Sequence, residues 1–147
     1  MATIKSFTDL QQSKKLAEIL PLESADMEYM FLKEDDSKVS NIPFVKDDEE
    51  PEWPSDSAYD FISCWSLAAL LEVLPDEISM GEGYQNKYEI NIRRHYGGNN
   101  ITLYQIAYGN NKGLSGSWHD IISTSEQEKF VDVCYEMICW LKENNKL

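Results

Sequence analysis

The stretch Trp65-Ser66-Leu67-Ala68-Ala69-Leu70-Leu71-Glu72-Val73-Leu74-Pro75 carries its own start and stop signals, and no other part of the chain limits the possible folds as firmly. The Ser66 hydroxyl can accept a first-turn amide hydrogen, and Trp65 has hydrophobic-staple spacing to Leu70. Pro75 disfavours helical geometry in the residue before it. Nearly every side chain between these limits is apolar, which predicts a helix covered on most of its circumference. Such a helix organises a core and brings no chemistry of its own.

A second helix is expected over residues 8–20. Leu10, Leu16, Ala17, Ile19 and Leu20 tend to one side and Gln11, Lys14, Lys15 and Glu18 to the other, with Thr8 and Gln11 at capping-box spacing and Pro21 closing it. The two helical phrases echo each other: Phe7, Leu16, Glu18, Leu20 and Pro21 match Phe61, Leu70, Glu72, Leu74 and Pro75. The echo reads either as two α-β-β pseudo-repeats sharing a core or as two uses of the same economical helix ending.

Met27 to Leu32 has the content of a strand, and residues 39–45 offer a return strand that Pro43 confines to a sheet edge or a ladder end. Tyr88, Ile90 and Ile92 alternate with Glu89, Asn91 and Arg93. Gly97-Gly98-Asn99-Asn100 supplies residues that tolerate positive φ, and Tyr104, Ile106 and Tyr108 return in phase, which predicts a β-hairpin. Residues 116–119 offer a short last strand. Ser123, Thr124 and Ser125 with Glu126, Gln127 and Glu128 form overlapping capping boxes for a helix to about Asn144, whose apolar face is Phe130, Val133, Cys134, Met137, Ile138 and Leu141. The expected fold is α+β, an antiparallel sheet with three helices in the order α-β-β-α-β-β-(β)-α. Its 147 residues fit a single domain, 1–147, with an exposed acidic loop at about 46–57.

Charge excludes more than it identifies. Against 26 acids stand 13 bases, a net charge of −13. Residues 23–60 hold 13 of the acids and three lysines, a net of −10. Such a chain repels phosphate backbones, so direct nucleic-acid binding is not expected. No apolar run reaches the roughly 20 residues of a membrane span, the N-terminus has no signal-peptide pattern, and the expected setting is cytoplasmic. Cys64, Cys134 and Cys139, odd in number and in apolar surroundings, suit reduced thiols.

The catalytic candidate is Cys64 ahead of the central helix, with His95 or His119 as base and Asp120 or Asn99 orienting it, a cysteine hydrolase. Cys64, Trp65 and Ala68 faintly resemble the Cys-Trp-x-x-Ala run of papain-like proteases, but the flanking glycine and glutamine pattern is absent. Ser66 takes the capping position, and the plainer reading of Cys64 is a small buried hydrophobe. No cofactor is expected: the glycines never take phosphate-cradling spacing, and no metal-ligand pattern occurs. Asp47, Asp48, Glu49, Glu50 and Glu52 lack the alternating ligands of a calcium loop and read as a solvated acidic segment. Within it, Trp53 between Pro51 and Pro54 is either a lid on the core or an anchor for a partner. Arg93, Arg94 and His95 form the basic cluster that such acids would complement.

Residues 12–21, 24–27, 64–75 and 132–138, with Cys64-Trp65-Ser66-Leu67-Ala68-Ala69-Leu70-Leu71-Glu72-Val73-Leu74-Pro75 as the specific phrase, resemble a group of short uncharacterised proteins of gut Bacteroidales and their phages and mobile elements. The segment from Glu34 to Asp60 is longer and more acidic here than in that group. The resemblance implies a bacterial or phage setting and supplies no activity. The expected function is therefore that of a small, acidic, non-catalytic protein that binds another protein through Trp53, Asp47, Asp48, Glu49, Glu50 and Glu52. In a sharper form, its acids mimic nucleic acid on a defence or DNA-processing enzyme.

Overall fold

Asp9, rather than Thr8, caps the first helix in the computed structural model of the chain, which describes residues 5–46, 58–82, 86–112 and 116–147. Helix α1 is Leu10–Ile19; the Asp9 carboxylate accepts the Gln12 amide hydrogen at 2.8 Å while the Gln12 side chain accepts from the Asp9 amide at 3.1 Å. The capping box thus lies one residue beyond the expected pair, Thr8 and Gln11. The reason is that Thr8 is buried, its hydroxyl 2.8 Å from that of the equally buried Ser13. A side chain spent on the interior cannot also cap an exposed helix end.

The fold class is α+β, three helices with antiparallel sheets of three and four strands, and the chain forms two compact units. In the unit Ser6–Ala69, β1 (Met27–Leu32) lies between β2 (Phe44–Val45) and β3 (Tyr59–Cys64), and α1 packs on β3. The return strand expected over 39–45 is reduced to the two residues of β2 and a bridge between Lys38 and Phe31. Pro43, which has no amide hydrogen for a ladder, leads into β2 at the sheet edge. Strand β3, paired with β1 along its whole length, was not expected. Tyr29, Phe31 and Cys64 centre the interior, with Phe7, Leu10, Met27 and Ile62 around them.

The other unit comprises Lys5 and Leu70–Leu147. Its sheet runs β4 (Glu77–Ser79), β5 (Lys87–Tyr96), β6 (Thr102–Asn110), β7 (His119–Ser123), each antiparallel to the next. Strand β4 is a second addition to the expected order, and β7 starts where the expected last strand ended. In the β5–β6 hairpin Asn99 and Asn100, not the glycines, take positive φ, 62° and 61°. Helix α3 (Phe130–Glu143) packs on β6, with Val131, Val133, Cys134, Met137, Ile138 and Leu141 buried and Phe130 stacked on Tyr104 at 4.9 Å between centroids. This face matches the expected one with Val131 added.

The start of α3 differs from its overlapping capping boxes. The helix begins at Phe130 without a side-chain cap. Thr124 instead prolongs the sheet: its hydroxyl accepts the Ile106 amide at 3.0 Å and its own amide donates to the Ile106 carbonyl at 2.8 Å. Glu136 then gathers the loop, accepting from the Ser125 amide and hydroxyl and from the Gln127 side chain at 2.6–2.9 Å.

Helix α2 (Leu67–Val73) starts as expected, with the Ala69 amide donating to the Ser66 hydroxyl at 3.2 Å. Ser66 is itself fixed, its amide donating to Asp26 at 2.8 Å and its hydroxyl to the other oxygen of the same carboxylate. Ala69, Leu70 and Leu74 are buried whereas Ala68 and Glu72, four apart, are exposed. Leu67, Leu71 and Val73 are partly buried, so the helix is covered on most of its circumference, as expected, with one exposed stripe. Leu16 and Leu70, and likewise Leu20 and Leu74, are buried at matching points of the echo, although the two sheets differ in strand order.

Candidate functional site

Cys64 closes β3 with its thiol inside a polar knot. The sulfur lies 3.5 Å from the Thr8 hydroxyl and donates to the Thr8 carbonyl at 3.4 Å, and the Tyr29 hydroxyl donates to the same carbonyl at 2.8 Å. Burial raises the thiol pKa, and the hydrogen bonds of Thr8, Ser13 and Tyr29 offset this only in part. Burial, and then Cys64 itself, likewise raise the Tyr29 phenol. A thiol held protonated and wholly screened from solvent is placed as a packing group. Cys134 is also buried, its thiol pushed up to about 12 by desolvation.

The candidate bases sit on strands with other partners. His95, exposed on β5, has its Nε2 3.9 Å from Glu126, and His119 is exposed at the start of β7. Asp120 does not orient a histidine. It receives both guanidinium nitrogens of Arg93, Nη1 to Oδ2 at 2.7 Å and Nη2 to Oδ1, and the Trp118 indole N–H at 2.6 Å. These hydrogen bonds, Arg93 first, hold its carboxyl below the usual carboxylate range. Asn99 lies in the hairpin turn. Arg93 is thus matched by Asp120, and Arg94 has its guanidinium 5.7 Å over the Tyr96 ring.

Trp53, Asp47, Asp48, Glu49, Glu50 and Glu52 lie outside the described residues. Among the described residues of the Ser6–Ala69 unit, the exposed large apolar side chains all lie at Leu22 or between Val39 and Val45. Leu22, Val39, Ile42, Phe44 and Val45 are all exposed, Ile42 at 64% and Val45 at 74%. Lys46 Nζ donates to the Leu22 carbonyl at 3.4 Å and the Lys46 amide to the Asp26 carbonyl. Clustered large apolar side chains at a sheet edge cost solubility unless something covers them. Sequence reading had assigned 39–45 to a return strand and so missed this surface.

A second arrangement, also missed, surrounds Trp118. Its indole lies so close to Gly109 of β6 that a Cβ there would come within 2.7 Å of Nε1, and within 2.4 Å of the His119 carbonyl oxygen. Arg93 reaches on from Asp120 to Asn91 through Nε at 3.3 Å. Beside the indole is an open cleft of about 160 Å³ whose walls include Glu77, Lys87, Glu89, Asn110 and Lys112. The signal for it was a glycine inside an otherwise apolar strand, which marks a close approach.

Among the described residues, no three or more His, Cys, Asp or Glu side chains are grouped to hold a metal ion, and no helix is long and apolar enough to cross a membrane. Comparison with protein-family models, curated proteins and solved structures finds no match.

Proposed function

We propose that this chain is a non-catalytic acidic protein of the cytoplasm of gut Bacteroidales or of their phages and mobile elements, and that it acts by binding another protein. The contact region is made of the exposed Leu22, Val39, Ile42, Phe44 and Val45 together with the residues that follow them in sequence, the acids Asp47, Asp48, Glu49, Glu50 and Glu52 and Trp53. The observation that carries this reading is the exposure of those five apolar residues, Phe44 and Val45 in the edge strand β2 itself, in or next to the stretch 23–60 that bears −10 of the chain's charge. An apolar centre rimmed by charge is the usual composition of a protein–protein contact, and its sign selects a basic partner. In the sharper form, that partner is an enzyme whose nucleic-acid groove the acids occupy.

The test compares the wild type with Ile42→Ser/Val45→Ser and with a variant in which residues 46–56, Trp53 included, become Gly-Ser. Both variants retain the wild-type far-ultraviolet spectrum and lose at least about tenfold in affinity for a basic partner recovered from cells, with wild-type binding weakening as salt rises. A partner held equally tightly by both variants, at all salt concentrations, would refute the reading.

A further inference from the structure

We propose that the cleft beside Trp118 is a binding site for a neutral carbohydrate, one pyranose ring seated against the indole. This rests on none of the surface around β2, and it concerns the Leu70–Leu147 unit alone.

The indole is fixed before any ligand arrives. Its only polar atom is tied to Asp120, Asp120 is gripped by both guanidinium nitrogens of Arg93, and Arg93 is steadied by Asn91. With the N–H so engaged, the hydrocarbon body of the ring is what remains to meet a ligand. The strand beneath is shaped for the same placement. Gly109 admits the ring where any Cβ would collide, and a register irregularity at Tyr108/Gly109 brings Asp120 opposite Gly109. Bulges of this kind commonly re-aim side chains beside functional sites.

The walls then select the ligand. Glu77 and Glu89 face each other directly across β4 and β5, and Glu89 lies opposite Gly109. Like charges so placed destabilise a sheet. Lys87 relieves Glu77 at 3.0 Å, while Glu89 has no ion-pair partner among the described residues. The pair therefore costs the sheet stability, and that cost is explained if Glu89 serves a ligand. Two carboxylates and the ammoniums of Lys87 and Lys112 cancel in charge, so the cleft favours neither a cation nor an anion. The Glu89 carboxylate supplies acceptors, and the Asn110 side chain, which gives one N–H to the Lys87 carbonyl and accepts the Lys112 amide, keeps a second N–H, a complement to hydroxyl groups that each donate and accept. At about 160 Å³ the cleft is smaller than the roughly 300–1,000 Å³ of drug-sized sites and suits one small ring.

The experiment follows the Trp118 indole N–H resonance by ¹H–¹⁵N spectroscopy of the full chain. The probes are the methyl glycosides of glucose, galactose, mannose and N-acetylglucosamine, with tetramethylammonium and inorganic phosphate as charged comparators. At least one glycoside shifts that resonance saturably, with millimolar affinity, and neither ion does. Glu89→Gln weakens that binding at least about fivefold while raising the unfolding midpoint, as relief of the Glu77–Glu89 repulsion requires, and Trp118→Phe, followed through the backbone amide resonances of Asn110 and Lys112, abolishes it. Failure of every glycoside up to tens of millimolar would overturn the proposal, as would an equal response to either ion or undiminished binding by Glu89→Gln.

Discussion

Gly109→Ala tests the close approach on which the Trp118 arrangement depends. The new methyl would stand 2.4 Å from the His119 carbonyl oxygen and 2.7–2.8 Å from Nε1 and Cε2 of Trp118. The first is a backbone atom of a paired strand, so β7 has to move. Overpacking of this kind costs about 1–3 kcal/mol. Displacing the indole also strains its hydrogen bond to the Asp120 carboxylate. Because Asp120 is 29% exposed, this adds about 1 kcal/mol rather than the roughly 1.5–3 of a fully buried charged bond. Alanine returns roughly 0.4–1 kcal/mol by restricting the unfolded chain. The net expectation is a loss of about 1–3.5 kcal/mol, which at roughly 2–4 °C per kcal/mol for a chain near this size lowers the melting temperature by about 2–14 °C. Urea unfolding followed by far-ultraviolet circular dichroism measures it. Trp118→Ala in the same background recovers only part of the loss, since the His119 carbonyl remains in the way, and the two changes couple by about 1 kcal/mol. A Gly109→Ala protein within about 0.5 kcal/mol of wild type would refute the close approach, and so would complete rescue by Trp118→Ala.

Two further outcomes follow from the same geometry and from Cys64. The Asp120 pKa is lowered in the folded state, so its contribution is present above the unfolded carboxylate pKa near 3.9 and is lost as pH falls through the lower folded value. Asp120→Asn lacks that component, and its urea midpoints therefore fall less steeply than those of the wild type between about pH 5 and pH 2. Iodoacetamide at neutral pH, read by mass spectrometry, modifies the half-buried Cys139 before the fully buried Cys64 and Cys134. Preferential modification of Cys64 would reinstate it as a nucleophile.

Where one pattern had one physical solution, the sequence was sufficient. The return through Ile106 and Tyr108 and the apolar face of α3 left burial as the single way to satisfy a strand or helix period, whereas the alternation of β5 holds at Tyr88 and Ile90 and fails at Ile92, which is 47% exposed while Asn91 and Arg93 are partly buried. Ambiguity entered where polar residues had two uses. Thr8 and Asp9 both stood at capping distance from a glutamine, and the choice was settled by burial of Thr8 against Ser13, which no local pattern encodes. Ser123, Thr124 and Ser125 carry the signature of a helix start, yet their donors and acceptors go to Ile106 of β6 and to Glu136 eleven residues beyond Ser125. On α3, Glu136 binds the 125–127 loop and Asp132 binds Lys5, pairings that the helix period alone does not encode. The Trp118 cleft was out of reach for a related reason. It joins residues from four strands, and no local pattern places them side by side.

The order β2-β1-β3 also bears on how the chain can change length. Both outer strands are antiparallel to β1 and therefore parallel to each other, so Val45 and Tyr59 lie on opposite edges of the sheet and the chain between them has a crossover to make. The crossover leaves β2 level with Met27 and enters β3 level with Leu32. That is roughly 17 Å along the strands and about 10 Å across them. Thirteen residues reach about 43 Å when extended, roughly twice the distance needed. Once such a span is exceeded, doubling a connection costs only about 0.6 kcal/mol in closure entropy. The acidic segment therefore sits where insertions and deletions leave the sheet register untouched. Selection can lengthen it, recharge it or shorten it by several residues while the fold around β1 stays the same.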